Sequence, residues 1–234
     1  KAPQLIGSCE GSINSFLESV GTYHQLRNQK QQITGEICFN ELDIREVPTF
    51  LDYLRGGLHV SLIPVIDFTG SNGLGPFSLH RIYKDPGTVN QYQACIMRVG
   101  AILSKYDSTQ QYTPFGFGAT FDDDLPTKSQ MSTYCFPLTL DPEHDTVTGV
   151  QGILDAYEAA LKKIDFGGPT HFAPILQKVM PIVRERFQRD HTYTILMIMT
   201  DGQIQDFYTT VDYIVNASDD PISIIIVGVG SAEF

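Results

Sequence analysis

Basic residues are scarce in this chain: 16 Lys and Arg stand against 27 Asp and Glu, for a formal charge of −11. Nucleic-acid binding needs clustered cations to neutralise phosphates, so this balance excludes a nucleic-acid partner. Paired cysteines are also missing. Cys9, Cys38, Cys95 and Cys135 lie far apart with no CxxC spacing, which argues against a zinc site or a disulfide framework and for a reducing, cytosolic setting. No apolar run approaches membrane-spanning length, and KAPQLIGSCE at the start is not a basic-then-apolar leader. The six histidines are scattered, without HExxH and without a Ser-His-Asp or Cys-His grouping. The GSNG segment lacks the lysine of a phosphate-binding GxxxxGK[ST] loop. No catalytic residue is therefore assigned.

What is present is a set of buried-strand patterns. Leu58–Phe68, Tyr193–Gly202 and Pro221–Gly230 are rich in Ile and Val and nearly free of polar interruption. Strands covered on both faces look like this and belong to parallel sheets between helices. Tyr112–Thr120 reads as a further strand. Helical periodicity marks Asn90–Tyr106, Gly149–Ile164, the stretch from Pro174 to Phe187, and Phe207–Ser218, with Pro181 expected to kink or interrupt the third. The alternation predicts a doubly wound, mostly parallel α/β domain over residues 49–234, its C-terminal helix missing. Residues 1–48 show short alternating stretches instead and read as β-strands of a different, β-rich module.

In an open parallel sheet, ligands gather at the carboxyl edge of the strands. Two apolar strands here end in acids, Asp67 in IDFTGSNG and Asp201 in MTDG. Thr69 and Ser71 follow Asp67 at alternate positions, and Thr170 sits in the loop GGPTHF before a helix. These oxygen donors, with no His or Cys among them, suit a hard divalent cation: magnesium first, manganese or calcium as alternatives. Asn72, His171 and Gly202 adjoin the set as candidate rim or partner-contact residues. A cation relieves the repulsion between two carboxylates, and its positive charge attracts an acidic side chain from a partner protein. Asp122, Asp123 and Asp124 read as a solvated loop tip. GFGAT, residues 116–120, reads as close packing near the rim.

The order DxTxS, Gly-flanked Thr, TDG resembles the metal-ion-dependent adhesion site of von Willebrand factor A domains, with Thr69 where a serine is usual. TFLDYLRGG, IDFTGSNG, SLH (78–80), NQY (90–92), FGFGA, GGPTHFAP and IIIVGVG together resemble the copine family over Thr49–Gly230. The resemblance implies a non-enzymatic adaptor with two calcium- and phospholipid-binding C2 domains, cytosolic and recruited to anionic phospholipid membranes when calcium rises. Residues 1–48 would be the last strands of the second C2 β-sandwich plus a linker, its calcium bound outside this fragment. Pro3 and Gln4 stand where that module usually carries aspartates. The alternative implied is the substrate-recognition A domain of a RING-type ubiquitin ligase.

Overall fold

The computed structural model describes residues 5–85, 87–107 and 109–231; Pro3 and Gln4 lie outside them. The chain divides into two compact units, Lys1–Phe50 and Leu51–Phe234.

The first unit holds a helix, α1 (Ile13–Glu18), and an antiparallel hairpin of β1 (Tyr23–Arg27) and β2 (Ile33–Cys38). The helix corrects the expectation of strands alone. Ser12 caps it by accepting from the Ser15 amide at 3.1 Å, and such a cap favours a helical turn over an extended chain. Phe16, His24 and Phe39 pack edge to face across this unit.

At the join lies α2 (Phe50–Arg55). The second unit then runs β3 (His59–Asp67), α3 (Gln91–Leu103), β4 (Gln111–Tyr112), β5 (Phe115–Phe117), β6 (Ala119–Phe121), β7 (Phe136–Pro137), β8 (Val147–Thr148), α4 (Gly149–Ala160), β9 (Ile164–Phe166), α5 (Ala173–Asp190), β10 (Thr192–Thr200), α6 (Phe207–Asn216) and β11 (Ile222–Gly228). Its main sheet has the order β11-β10-β3-β5-β7, parallel except for the short edge strand β7. This is the mostly parallel α/β architecture that the hydrophobic runs predict.

The two-residue period of a strand explains why those runs are continuous. Leu62 and Ile66 of β3, with Met197 and Met199 of β10, join a core with Tyr92 and Ile96 of α3 and Ile153 and Tyr157 of α4. Their alternates, Ile63, Val65, Leu196 and Ile198, join Ile175, Leu176, Val179 and Val183 of α5 on the other face. Both strand faces are dry, so no polar alternation remains.

Two expectations change. Tyr112–Thr120 is not one strand but parts of β4, β5 and β6, which pair in three different sheets. Pro114 cannot donate to a ladder, and Gly118 turns the chain at φ +79°. The second change concerns Pro181, across which α5 continues without a break. Pro181 and Gln177, whose carbonyl loses its helical partner, are both exposed, so the lost bond falls on the solvent side while the apolar face holds the helix to the sheet.

Candidate metal centre

Strand β3 ends in Asp67, which is fully buried. Its Oδ1 accepts from the Thr69 amide at 2.7 Å and from Asn72 Nδ2 at 3.4 Å, and its Oδ2 accepts from the Thr200 hydroxyl at 2.5 Å. The chain then makes a 3-10 turn over Gly70–Asn72, with the Gly70 amide donating to the Gly167 carbonyl at 2.7 Å. That tether brings the loop containing Thr170 to the turn containing Ser71. Thr69 Oγ1 and Ser71 Oγ are 2.9 Å apart, and Ser71 Oγ donates to Asp201 Oδ1 at 2.7 Å. The last contact joins segments 130 residues apart in sequence. Parallel pairing of β3 with β10, Ile66 opposite Met199, brings the two strand ends together.

Thr170 belongs to the same cluster. A β-carbon placed on Gly202 would stand 3.6 Å from both Ser71 Oγ and Thr170 Oγ1, so Gly202 keeps the space between those hydroxyls open. The Gln205 amide holds the Thr170 carbonyl at 2.9 Å. Asp67, Thr69, Ser71, Thr170 and Asp201 thus meet at the carboxyl edge of the sheet, and Ser71 alone of the five is exposed.

The three flanking candidates separate. Asn72 is 1% exposed and lies under the site, not on its rim. Its Nδ2 donates to Asp201 Oδ1 at 3.1 Å and to the Thr69 carbonyl at 3.1 Å, and its Oδ1 accepts from Tyr92 Oη at 2.6 Å. One buried amide therefore braces both carboxylates, which draws it inward. His171 is part-exposed and stacks on Tyr134, ring centroids 5.8 Å apart and planes within 7°. Gly202 lines the opening.

Burial raises the pKa of Asp67 and that of Asp201, and the charge of Asp201 adds to the shift at Asp67. No Lys or Arg is among the groups acting on either carboxylate. Two desolvated acids without a cationic partner, beside three hydroxyls and no nitrogen or sulfur donor, fit a hard divalent ion. The likeness of Thr69 to a serine holds at the hydroxyl. Its methyl group fills the place where a β-carbon on Gly118 would be, and the glycine makes room for it.

Sequence reasoning passed over five supporting residues. Thr200, just before Asp201, clamps Asp67. His80 is 3% exposed, its ring stacked between Tyr92 at 4.2 Å and Phe68 at 4.9 Å. His80 Nε2 donates to the Asp67 carbonyl at 2.8 Å, so Nδ1 accepts from Tyr157 Oη at 2.7 Å. Asn90 completes the chain by donating to Tyr157 Oη at 3.2 Å while capping α3. Tyr92, the fifth, orients Asn72. The only signals were the polar letters in SLH and NQY, whose partners are distant in sequence.

Elsewhere the structure agrees with the plainer readings. Asp123 pairs with Lys128 and Asp124 with Lys163 on the surface, and all four cysteines are free.

Comparison with known proteins gives a consistent set. The Copine family model matches residues 78–234. The chain is 38% identical over 224 residues to Copine-A of Dictyostelium discoideum, a match covering 94% of this chain and 36% of that protein. Copine-C of the same organism is 36% identical over 100% of this chain and 43% of its own length. Protein BONZAI 2 of Arabidopsis thaliana is 43% identical over 80% and 31%. The chain therefore spans less than half the length of each of these relatives. Among solved structures, the manganese-loaded TRAP protein of Plasmodium vivax aligns with a TM-score of 0.46 and 15% identity, over 75% of this chain and 59% of that one.

Proposed function

This chain belongs to the copine family, and from that premise we propose that its second unit is a von Willebrand factor A-type module that binds acidic side chains of partner proteins through a divalent cation. The observation that carries the reading is the 2.7 Å bond from Ser71 to Asp201, which brings an acid and a hydroxyl from two strand ends to one point. Magnesium is the ion favoured, because the donors are all oxygen and only two are charged. When bound, the ion supplies a positive centre to which a partner's carboxylate adds as a further ligand.

The chain's own residues prepare that centre. Asp67 is held by Thr69, Asn72 and Thr200, so its charge is fixed in place and acts on the ion directly or through water. Ser71 and Thr69 would hold the ion through hydroxyl lone pairs, and Ser71 can keep its proton on Asp201 Oδ1 while doing so. Thr170 offers a third hydroxyl from the opposite loop, and Asn72 keeps Asp201 from swinging away. No Lys or Arg is among the groups acting on either carboxylate to hold a phosphate or an oxyanion, which favours a binding role over an enzymatic one.

For the whole protein, the same premise supports a calcium-dependent, phospholipid-binding adaptor, cytosolic and recruited to membranes as calcium rises. The first unit, with its antiparallel hairpin, is read as the closing part of a C2 domain, and the A module as the remainder of this chain.

Isothermal titration of the full chain with magnesium or manganese tests the site. The wild type is expected to take up one ion, and Asp67→Ala and Asp201→Ala to take up none at the same concentration. Equal uptake by all three proteins refutes the proposal.

A further inference from the structure

Among the described residues of the second unit, three large apolar side chains stand furthest out in water. Phe77 is 91% exposed, Tyr208 85% and Leu74 73%, and no other exceeds 63%. All three follow the acids of the candidate metal centre. Leu74 and Phe77 come just after Ser71, and Tyr208 comes seven residues after Asp201. Strand β3 leads to α3, which packs on one face of the sheet through Tyr92 and Ile96. Its neighbour β10 leads to α6, whose Tyr213 packs on the other face. The two exposed sets therefore flank the metal opening from opposite sides, in the crevice that diverging strand ends create.

Both sets stand on fixed backbone. The Leu79 amide donates to the Asn72 carbonyl at 2.9 Å, which closes residues 73–78 into a short loop. Gly73 at φ +74° and Gly75 at φ +61° make its reversals. Asn72, at the base of that loop, is the residue that braces both carboxylates. Three residues of chain keep Leu74 within about 11 Å of Ser71. On the other side, Asp206 accepts from the Phe172 amide at 3.0 Å, the Ala173 amide at 2.8 Å and the Thr210 hydroxyl at 3.1 Å. Those bonds hold the start of α6, and with it Tyr208, to the segment that follows Thr170.

Apolar groups held out by ordered backbone are covered by a partner at little ordering cost. A carboxylate on a metal ion is the same contact for every acidic residue, so choice among acids has to come from what surrounds it. Charge decides the class of partner. Residues 67–83, 167–172 and 201–208 contain a single Lys or Arg, Arg81, and its guanidinium lies over the Tyr83 ring at 5.1 Å. An anionic lipid surface is held by clusters of such cations, whereas a peptide brings an acid and apolar groups on one backbone. Resting on the metal-site reading above, we propose that the opening docks a peptide segment in which one Asp or Glu is flanked on each side by a large apolar side chain. The acid meets the ion, one apolar group covers Leu74 and Phe77, and the other covers Tyr208.

The probe is a random dodecapeptide library displayed on phage, bound to the full chain in magnesium and eluted with a chelator. Eluted peptides are expected to carry an Asp or Glu with Leu, Ile, Phe, Tyr or Trp within four positions on both sides. A synthetic copy of the most enriched peptide should bind Phe77→Ser and Tyr208→Ser at least tenfold more weakly than the wild type, with magnesium uptake unchanged in both. Exchanging its acid for the amide should abolish binding. The proposal is overturned if no peptide is enriched, if the eluted peptides lack either the acid or the flanking apolar groups, or if both variants bind as tightly as the wild type. Phe77-dependent binding to phosphatidylserine–phosphatidylcholine vesicles, with no peptide enriched, assigns the patch to a membrane and also rejects it. Magnesium uptake separates the two readings: if the wild type takes up the ion and Asp67→Ala does not, only the peptide proposal has failed.

Discussion

Replacing Tyr157 by Phe removes one oxygen from the second unit and leaves its ring in place. The hydroxyl is buried, donates to His80 Nδ1 at 2.7 Å and accepts from Asn90 Nδ2 at 3.2 Å. Asn90 retains a 3.3 Å bond to the Arg81 carbonyl, so the chief loss falls on His80, whose Nδ1 is left as a buried acceptor with no donor. Such an orphaned group costs about 1–3 kcal/mol. For a unit of this size that is a fall in thermal midpoint of roughly 2–12 °C. The mechanism is separable from a general packing defect by a double-mutant cycle. In a His80→Phe background there is no Nδ1 to orphan, so Tyr157→Phe should cost less than half as much there. Urea unfolding of the four proteins, followed by circular dichroism at neutral pH, measures both values. If Tyr157→Phe costs the same in the two backgrounds, the chain from Asn90 through Tyr157 to His80 does not act as a unit and the reasoning fails.

Other outcomes follow from the same contacts. Burial lowers the His80 pKa from 6.5 to about 4; the unfolded chain therefore takes up a proton first, and stability present above pH 6.5 is lost as pH falls towards 4, by up to about 3 kcal/mol. The difference in urea midpoint between the wild type and His80→Phe, measured from pH 7 to 4, isolates this from the carboxylates, and parallel curves would disprove it. Gly118→Ala should destabilise by about 1–3 kcal/mol, because the position has φ +79° and its β-carbon meets the Thr69 methyl; calorimetric unfolding at unchanged midpoint would contradict the packing. Burial pushes the Cys135 thiol up to about 12, leaving about one molecule in ten thousand as thiolate at pH 8. Iodoacetamide should therefore label it far more slowly than Cys9 or Cys38, as mass spectrometry of timed digests will report, and equal labelling rates would be inconsistent with that burial.

Strands β3 and β10 were legible because a central strand in a covered parallel sheet has no wet face, and its sequence carries the mark of both cores; β11 shows the same apolar run at the sheet's edge, where Ile225 and Ile226 are exposed. The acids were legible for a related reason: a carboxylate directly after such a run has to emerge at the sheet edge. The stretch from Tyr112 to Thr120 misled because its phenylalanines are apolar, whereas its course is set by what Pro114 cannot bond and by the backbone at Gly118. Pro181 misled because a proline's cost depends on which helix face it occupies, a tertiary property. Thr200, His80, Tyr92 and Tyr157 were illegible for the same reason. Each supports the site through a bond to a residue that is at least 13 positions away in sequence, and no local pattern encodes that meeting.

The clamp on Asp67 has a bearing on how the site would exchange its ion. Three donors already hold that carboxylate from the protein side, so emptying and refilling the position would demand rotation of a few hydroxyls and no rebuilding of the chain. An ion bound there would also relieve the repulsion between Asp67 and Asp201, so a chelator would lower the stability of the loaded protein while leaving its chain path unchanged.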